Sequence, residues 1–187
     1  MNLFHRLYCR SDRWARSVEA QLLPWTLADV ELGDNVLEIG PGYGANLRVL
    51  VERTPQLTAV EIDGPMARRL QDGYGSRARI LHANGTDTGL PAGEFSSVVC
   101  FTMLHHIPTA DGQDRLFAEA LRVLRPGGVF AGSDSISSLR WRLIHLGDTC
   151  NPVPPQTLPE RLAAAGFADV RVDTADGRLR WRAVKPS

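Results

Sequence analysis

The stretch Val36-Leu37-Glu38-Ile39-Gly40-Pro41-Gly42-Tyr43-Gly44-Ala45-Asn46-Leu47 constrains this chain more than any other, because the hydrophobic period changes within it. Up to Ile39 the residues suit a buried strand; from Ala45 onward, Leu47, Leu50 and Val51 recur at helical spacing. Gly40, Gly42 and Gly44 therefore fall in a strand-to-helix turn. At the carboxyl edge of a parallel sheet such a turn borders the crevice where α/β proteins bind ligands. Glycines there permit positive φ and let a ligand approach without meeting a Cβ.

The remainder alternates in the same manner. Strands are expected at 57–62, 78–83, 95–102 and 129–133, and helices at 65–73, 111–124 and 158–165. Arg125-Pro126-Gly127-Gly128 reads as a helix stop before the fifth strand. Two last strands, 170–172 and 179–184, flank the turn Ala175-Asp176-Gly177. This pattern predicts an α/β fold: a doubly wound, mostly parallel sheet with helices on both faces and one antiparallel strand from the closing hairpin. A single domain is expected over 1–187. Residues 1–34 form a helical segment, with a helix at 11–30 that either covers the crevice as a lid or packs on the sheet. Residues 35–134 form the ligand-binding core, and 135–187 supply an irregular segment on the acceptor side and the hairpin.

Acidic and basic residues balance to a formal net charge of zero, which gives no electrostatic case for nucleic acid or an anionic membrane as partner. Lys185 is the only lysine, and no G-K-[ST] follows the glycines, which excludes a P-loop. Cys9, Cys100 and Cys150 are few and far apart, with no metal-ligand spacing, so reduced thiols and no metal are expected. No signal peptide or membrane-length apolar run is visible, which predicts a cytoplasmic protein. Oligomeric state is not legible in one chain.

Two readings of the turn compete. Gly40, Gly42 and Ala45 satisfy the loose G-x-G-x-x-G/A pattern of a dinucleotide site, and Glu61 stands about 20 residues on, where a carboxylate can accept hydrogen bonds from a ribose diol. Glu38, Gly40, Gly42 and Gly44 form E-x-G-x-G-x-G instead. That version, followed in order by AVEID, GTDTGLP, FSSVVCFTMLHHI and LRPGGVFAGSDS, resembles the class I S-adenosylmethionine-dependent methyltransferases, in particular small ones without inserted substrate modules. The resemblance covers about residues 35–134 by motif and the rest by strand count.

The resemblance implies a seven-stranded sheet whose last strand is antiparallel, with S-adenosyl-L-methionine as cofactor. It implies that Glu38 tips the first strand and that Gly40, Gly42 and Gly44 contact the methionine part. Glu61 would hold the ribose and Ile62 would pack on adenine. Thr102 and Met103 would border the sulfonium through their backbone. The acid that usually addresses the adenine amino group has its place at Thr86, one residue before Asp87, so this contact is shared between two candidates.

A sulfonium methyl is already activated, so the chain needs mainly to align an acceptor and exclude water. A base is required only for a protonated hydroxyl or amine. The candidates are His105, His106 and His145, with Asp148 and Tyr8 behind them, and Trp14 and Trp141 are candidate aromatic walls. Neutral charge and the absence of an inserted module point to a small-molecule acceptor. Two rivals remain: a nicotinamide oxidoreductase, which lacks an internal lysine for a Tyr-x-x-x-Lys dyad, and a cofactor-binding domain without catalysis.

Overall fold

The computed structural model describes residues 3–138 and 149–187, with side chains from Arg6 onward. Seven strands, β1 (Asn35–Ile39), β2 (Gln56–Glu61), β3 (Arg79–His82), β4 (Phe95–Phe101), β5 (Leu124–Ser135), β6 (Ala168–Ala175) and β7 (Arg178–Val184), form one sheet in the order β3-β2-β1-β4-β5-β7-β6. Every pairing is parallel except those of β7, which runs antiparallel to both β5 and β6. From β1 the chain moves outward through β2 and β3, then returns to lay β4 on the other side of β1. That reversal opens a crevice at the carboxyl ends of β1 and β4.

Alternation along the central strands builds two cores. On one face Leu37, Ile39, Val98 and Phe130 meet Leu116, Phe117 and Ala120 of α6 (Ala110–Val123). Leu158 and Leu162 of the short helix Leu158–Ala164 join the same cluster. On the other, Val36, Ala59, Val99 and Ala131 meet Leu47 and Leu50 of α4 (Leu47–Leu50), Leu70 of α5 (Gly64–Tyr74), and Val18, Leu22 and Leu23 of the N-terminal segment. Side-chain caps start the helices where the sequence offers them: Asp63 accepts from Met66 N–H and Thr109 from Gly112 N–H.

Three expectations are corrected. The helix at 11–30 is broken into α2 (Asp12–Ser17, capped by Ser11), a π turn at Val18–Leu22, and α3 (Leu23–Thr26), with α1 (Leu3–Cys9) ahead of them. Pro24 is the cause: it has no N–H to donate back and its ring crowds the preceding turn, so one extra residue is taken up there. Second, Arg125-Pro126-Gly127-Gly128 lies within β5 instead of between helix and strand. Between the pairs Phe95↔Leu124 and Ser97↔Val129, β5 uses more residues than β4, and the surplus bulges. Gly127 N–H donates to Lys185 C=O at 2.9 Å, which ties the bulge to the end of β7. Third, β6 spans Ala168–Ala175, longer than 170–172, because Asp176 and Gly177 adopt φ of 50° and 73° and bring the strands into register up to the turn. Among the described residues no helix is long and apolar enough to cross a membrane.

Trp181 on β7 is 1% exposed, and its ring lies 5.6 Å from that of Phe130. Trp181→Ala is expected to cost about 3–5 kcal/mol in urea unfolding. A loss below about 1 kcal/mol would mean that this face of the sheet is not close-packed.

Candidate active site

The glycine turn closes against its neighbours. Gly40 N–H donates to Val60 C=O at 2.9 Å, and Gly44 N–H to Pro41 C=O at 2.9 Å. Gly42 and Gly44 have φ of 55° and 83°, a region L side chains rarely adopt. A Cβ on Gly44 would stand 2.9 Å from Leu70 Cδ2, whereas one on Gly42 would meet nothing within 4 Å. Gly44 thus seats the turn on α5, and Gly42 faces open space.

Two acids end the strands that flank this space, and the fold treats them differently. Glu61, 6% exposed, accepts from Gly42 N–H (3.0 Å) and from Asp63 N–H (3.0 Å). Each oxygen keeps further acceptor capacity. Glu38 is fully buried, and neither of its oxygens has a hydrogen-bond partner among the described residues. Burial pushes its carboxyl up to about 8; the nearby Asn46 amide opposes that and the Glu61 charge adds to it. Ile62, next after Glu61, is a large hydrophobic residue left 65% exposed.

On the β4 side, Thr102 takes φ of 51°, an unusual conformation for a β-branched residue, while its N–H donates to Ser133 C=O at 2.7 Å. The turn delivers Met103 over Gly40: a Cβ there would lie 3.0 Å from Met103 Cε. A 3-10 turn at Leu104–His106 follows. His105 is 2% exposed; its Nδ1 stands 2.5 Å from Asp134 Oδ1 and its main-chain N–H donates to Asp134 Oδ2 at 3.0 Å. His106 is half-buried, its ring 4.1 Å from that of His105. Buried Gln113 anchors this turn, donating to Leu104 C=O (3.0 Å) and Asn151 C=O (2.8 Å) and accepting from Arg161 (2.9 Å).

Beyond β3, Asn84 Oδ1 accepts from Thr86 N–H, leaving Thr86 half-buried and Asp87 exposed. Arg122 holds the Glu119 carboxyl down at about 2, and Glu119 accepts from Thr88 N–H at 2.9 Å, which fixes the end of the loop. Tyr8 is exposed on α1, 5.5 Å from Trp14. Trp141, His145 and Asp148 lie outside the described residues.

Sequence reasoning therefore placed Glu38, Gly40, Gly42, Gly44, Glu61, Ile62, Thr102, Met103, His105 and His106 at positions that the fold brings to one edge of the sheet. It missed Asp134 as the partner of His105, although an acid that ends an apolar strand, like Glu38 and Glu61, was a signal. It also missed Asn46 and Gln113, whose roles depend on tertiary neighbours.

The sequence of residues 37–132, just over half the chain, matches the family model described as a methyltransferase domain. The chain belongs to the class I S-adenosylmethionine-dependent methyltransferases. An uncharacterized methyltransferase of Mycobacterium bovis is 38% identical over 123 residues, covering 64% of this chain and 60% of that protein. A malonyl-[acyl-carrier protein] O-methyltransferase of Geobacter sulfurreducens is 33% identical over 137 residues, 70% of this chain and 50% of that one. This methyltransferase chain thus spans between half and about 60% of the length of these relatives. In fold it is similar to a SAM-dependent methyltransferase from Archaeoglobus fulgidus, with a TM-score of 0.76 at 16% identity, covering 98% of this chain and 100% of that one.

The residues present fit the cofactor of this family. A buried acid without a partner suits a cationic amino-acid tail, a strand-end carboxylate with spare acceptor sites suits a diol, and an exposed isoleucine suits an aromatic base. Glu38 also makes the folded methyltransferase sensitive to pH. Below its ordinary value of 4.5 the carboxyl is neutral in folded and unfolded chains alike. As pH climbs through about 8 the unfolded chain ionises first, so stability is lost over that window. Glu38→Gln should match wild type near pH 4 and exceed it by about 2–4 kcal/mol at pH 8 in denaturant unfolding. Equal stability at both pH values would show that the Glu38 charge is compensated in the fold.

Proposed function

We propose that this chain transfers the methyl group of S-adenosylmethionine to a small-molecule acceptor by in-line displacement. The observation that carries the reading is the meeting, at one crevice edge, of the buried Glu38 carboxyl, which has no hydrogen-bond partner among the described residues, the Glu61 carboxylate and the exposed Ile62. When bound, S-adenosylmethionine supplies a sulfonium-activated methyl, which leaves binding, alignment and the exclusion of water to the polypeptide.

Glu61 would accept from the ribose hydroxyls while keeping the N–H groups of Gly42 and Asp63, so sugar and glycine turn are held by one carboxylate. Glu38 would face the ammonium of the methionine part, with Gly40, Gly42 and Gly44 giving backbone access. Ile62 would cover one face of adenine, and Thr86 or Asp87 its amino edge. Thr102 and Met103 would border the transferred group. His105, committed to Asp134 at both its ring and its backbone, is read as a positioning residue that fixes the turn after β4. His106, half-buried beside it, is better placed to take a proton from a hydroxyl or amine acceptor. The formal charge of zero supports a small molecule over nucleic acid.

Titration calorimetry tests this reading. S-adenosylhomocysteine should bind in the micromolar range and NADH should not, and Glu61→Gln should weaken the former about 10- to 100-fold. Methyl-labelled cofactor incubated with a cell extract should leave label in the acid-soluble fraction. Unchanged affinity in Glu61→Gln would remove the ribose assignment, and label confined to RNA or protein would remove the small-molecule acceptor.

A further inference from the structure

Three guanidinium groups converge on one phenol ring beside the glycine turn. Arg6 Nε donates to Tyr43 Oη at 3.4 Å, and the guanidinium carbons of Arg10 and Arg69 each stand 5.8 Å from the centroid of the Tyr43 ring. Arg6 and Arg10 arrive from α1 and the residue that follows it, Arg69 from α5. Six arginines elsewhere, Arg48, Arg77, Arg122, Arg125, Arg161 and Arg180, each face a carboxylate within 4.0 Å. Among the described residues no carboxylate lies at that distance from Arg6, Arg10 or Arg69. Asp63 is the acid whose charge reaches Arg6, and its Oδ1 is already accepting from Met66 N–H at 2.8 Å as the cap of α5. An excess of positive charge therefore sits at the crevice rim of a chain whose formal net charge is zero.

The segments that carry these groups also expose apolar side chains. Leu7, Tyr8 and Ile62 are the exposed large hydrophobic residues among those described. Ile62 is assigned to adenine in the function proposed above. Leu7, 58% exposed, stands three residues before Arg10 on the same helical turn and so borders it, whereas Tyr8, 44% exposed, has its ring 5.5 Å from that of Trp14. An apolar surface next to unmatched cations suits a ligand with an acidic head and a hydrocarbon body. The methionine part of the cofactor does not fit that description, since it carries one carboxylate with its own ammonium and needs neither three cations nor Leu7.

We infer that the acceptor is a free amphiphilic acid whose oxyanion docks among Arg6, Arg10 and Arg69 while its apolar body lies along Leu7. The inference rests on the reading of the crevice as the cofactor site, which makes this rim the entrance for the acceptor. The N-terminal helix α1 thereby recognises the acceptor while its arginines stay on the Tyr43 of the glycine turn.

Calorimetry with decanoate, below its micelle concentration, and with decanol tests the inference on protein with and without saturating S-adenosylhomocysteine. Decanoate should bind wild type at least about tenfold tighter than decanol, and Arg10→Gln/Arg69→Gln should erase that margin. Leu7→Ser should weaken both probes about threefold or more. S-adenosylhomocysteine affinity should stay within about twofold in every variant, since Arg10, Arg69 and Leu7 are exposed and the fold does not depend on them. Equal affinity for the two probes, or an arginine variant that still prefers decanoate, would overturn the inference. So would decanoate binding seen only in vesicles of anionic lipid. If the arginine variant lost S-adenosylhomocysteine but kept methylthioadenosine, the arginines would belong to the cofactor's carboxylate and the inference would fall. A wild type that takes decanoate in the arginine-dependent manner but not S-adenosylhomocysteine would sink the cofactor reading and leave the acid site standing.

Discussion

Glu61 joins two things that the rest of the crevice requires to be near each other: the end of β2 and the apex of the glycine turn. Its carboxylate accepts from Gly42 N–H on one side and Asp63 N–H on the other. Gly42 belongs to a turn with positive φ, and Asp63 caps the helix that turn rests on through Leu70. One buried charge is thereby stabilised by two backbone donors, a charge-assisted arrangement stronger than a neutral pair. Without it the turn would lose its fixed distance from β2, and with that the width of the cleft. Such a bond network also explains why the acid tolerates burial with no arginine partner among the described residues.

Three acids lie at the carboxyl ends of β1, β2 and β5, and their different fates describe how the site is organised. Asp134, at the end of β5, collects the ring and backbone of His105 and the N–H of Ser135. That pairing holds the turn after β4 in place and carries it under Asn151 through Gln113. Glu61 is satisfied by the backbone. Glu38 alone has no partner among the described residues, although it is the most buried of the three. Leaving a buried acid unmatched costs stability, and such a cost persists where a ligand offsets it. On the reading proposed here, a methionine ammonium would do so.

Most of the sheet was legible because its strands are apolar runs between turn residues, and because a glycine turn followed by two strand-end acids is a local pattern. The crevice followed from strand order alone. What could not be read depends on distance in sequence or on backbone detail. The strand that takes up Arg125-Pro126-Gly127-Gly128 requires β7 to be present, since Gly127 bonds to Lys185. Pro24 signalled a disturbance in the N-terminal helix, but whether the chain would stop, kink or widen is decided by packing of Val18, Leu22 and Leu23 on the sheet. His105 and Asp134 stand 29 positions apart, and the arginines around Tyr43 come from α1, the residue after it and α5, so neither grouping has a sequence signature. Charge balance over the whole chain even concealed the basic rim.

The central claim is that the cleft above β1 and β4 is an adenosyl site closed by Glu61. A crystal structure with S-adenosylhomocysteine tests it most directly. The account predicts the ribose hydroxyls within hydrogen-bond distance of the Glu61 carboxylate, the ammonium turned toward Glu38 and adenine against Ile62. An empty cleft in crystals that hold the compound elsewhere, or a nucleoside seated with its sugar away from Glu61, would contradict it.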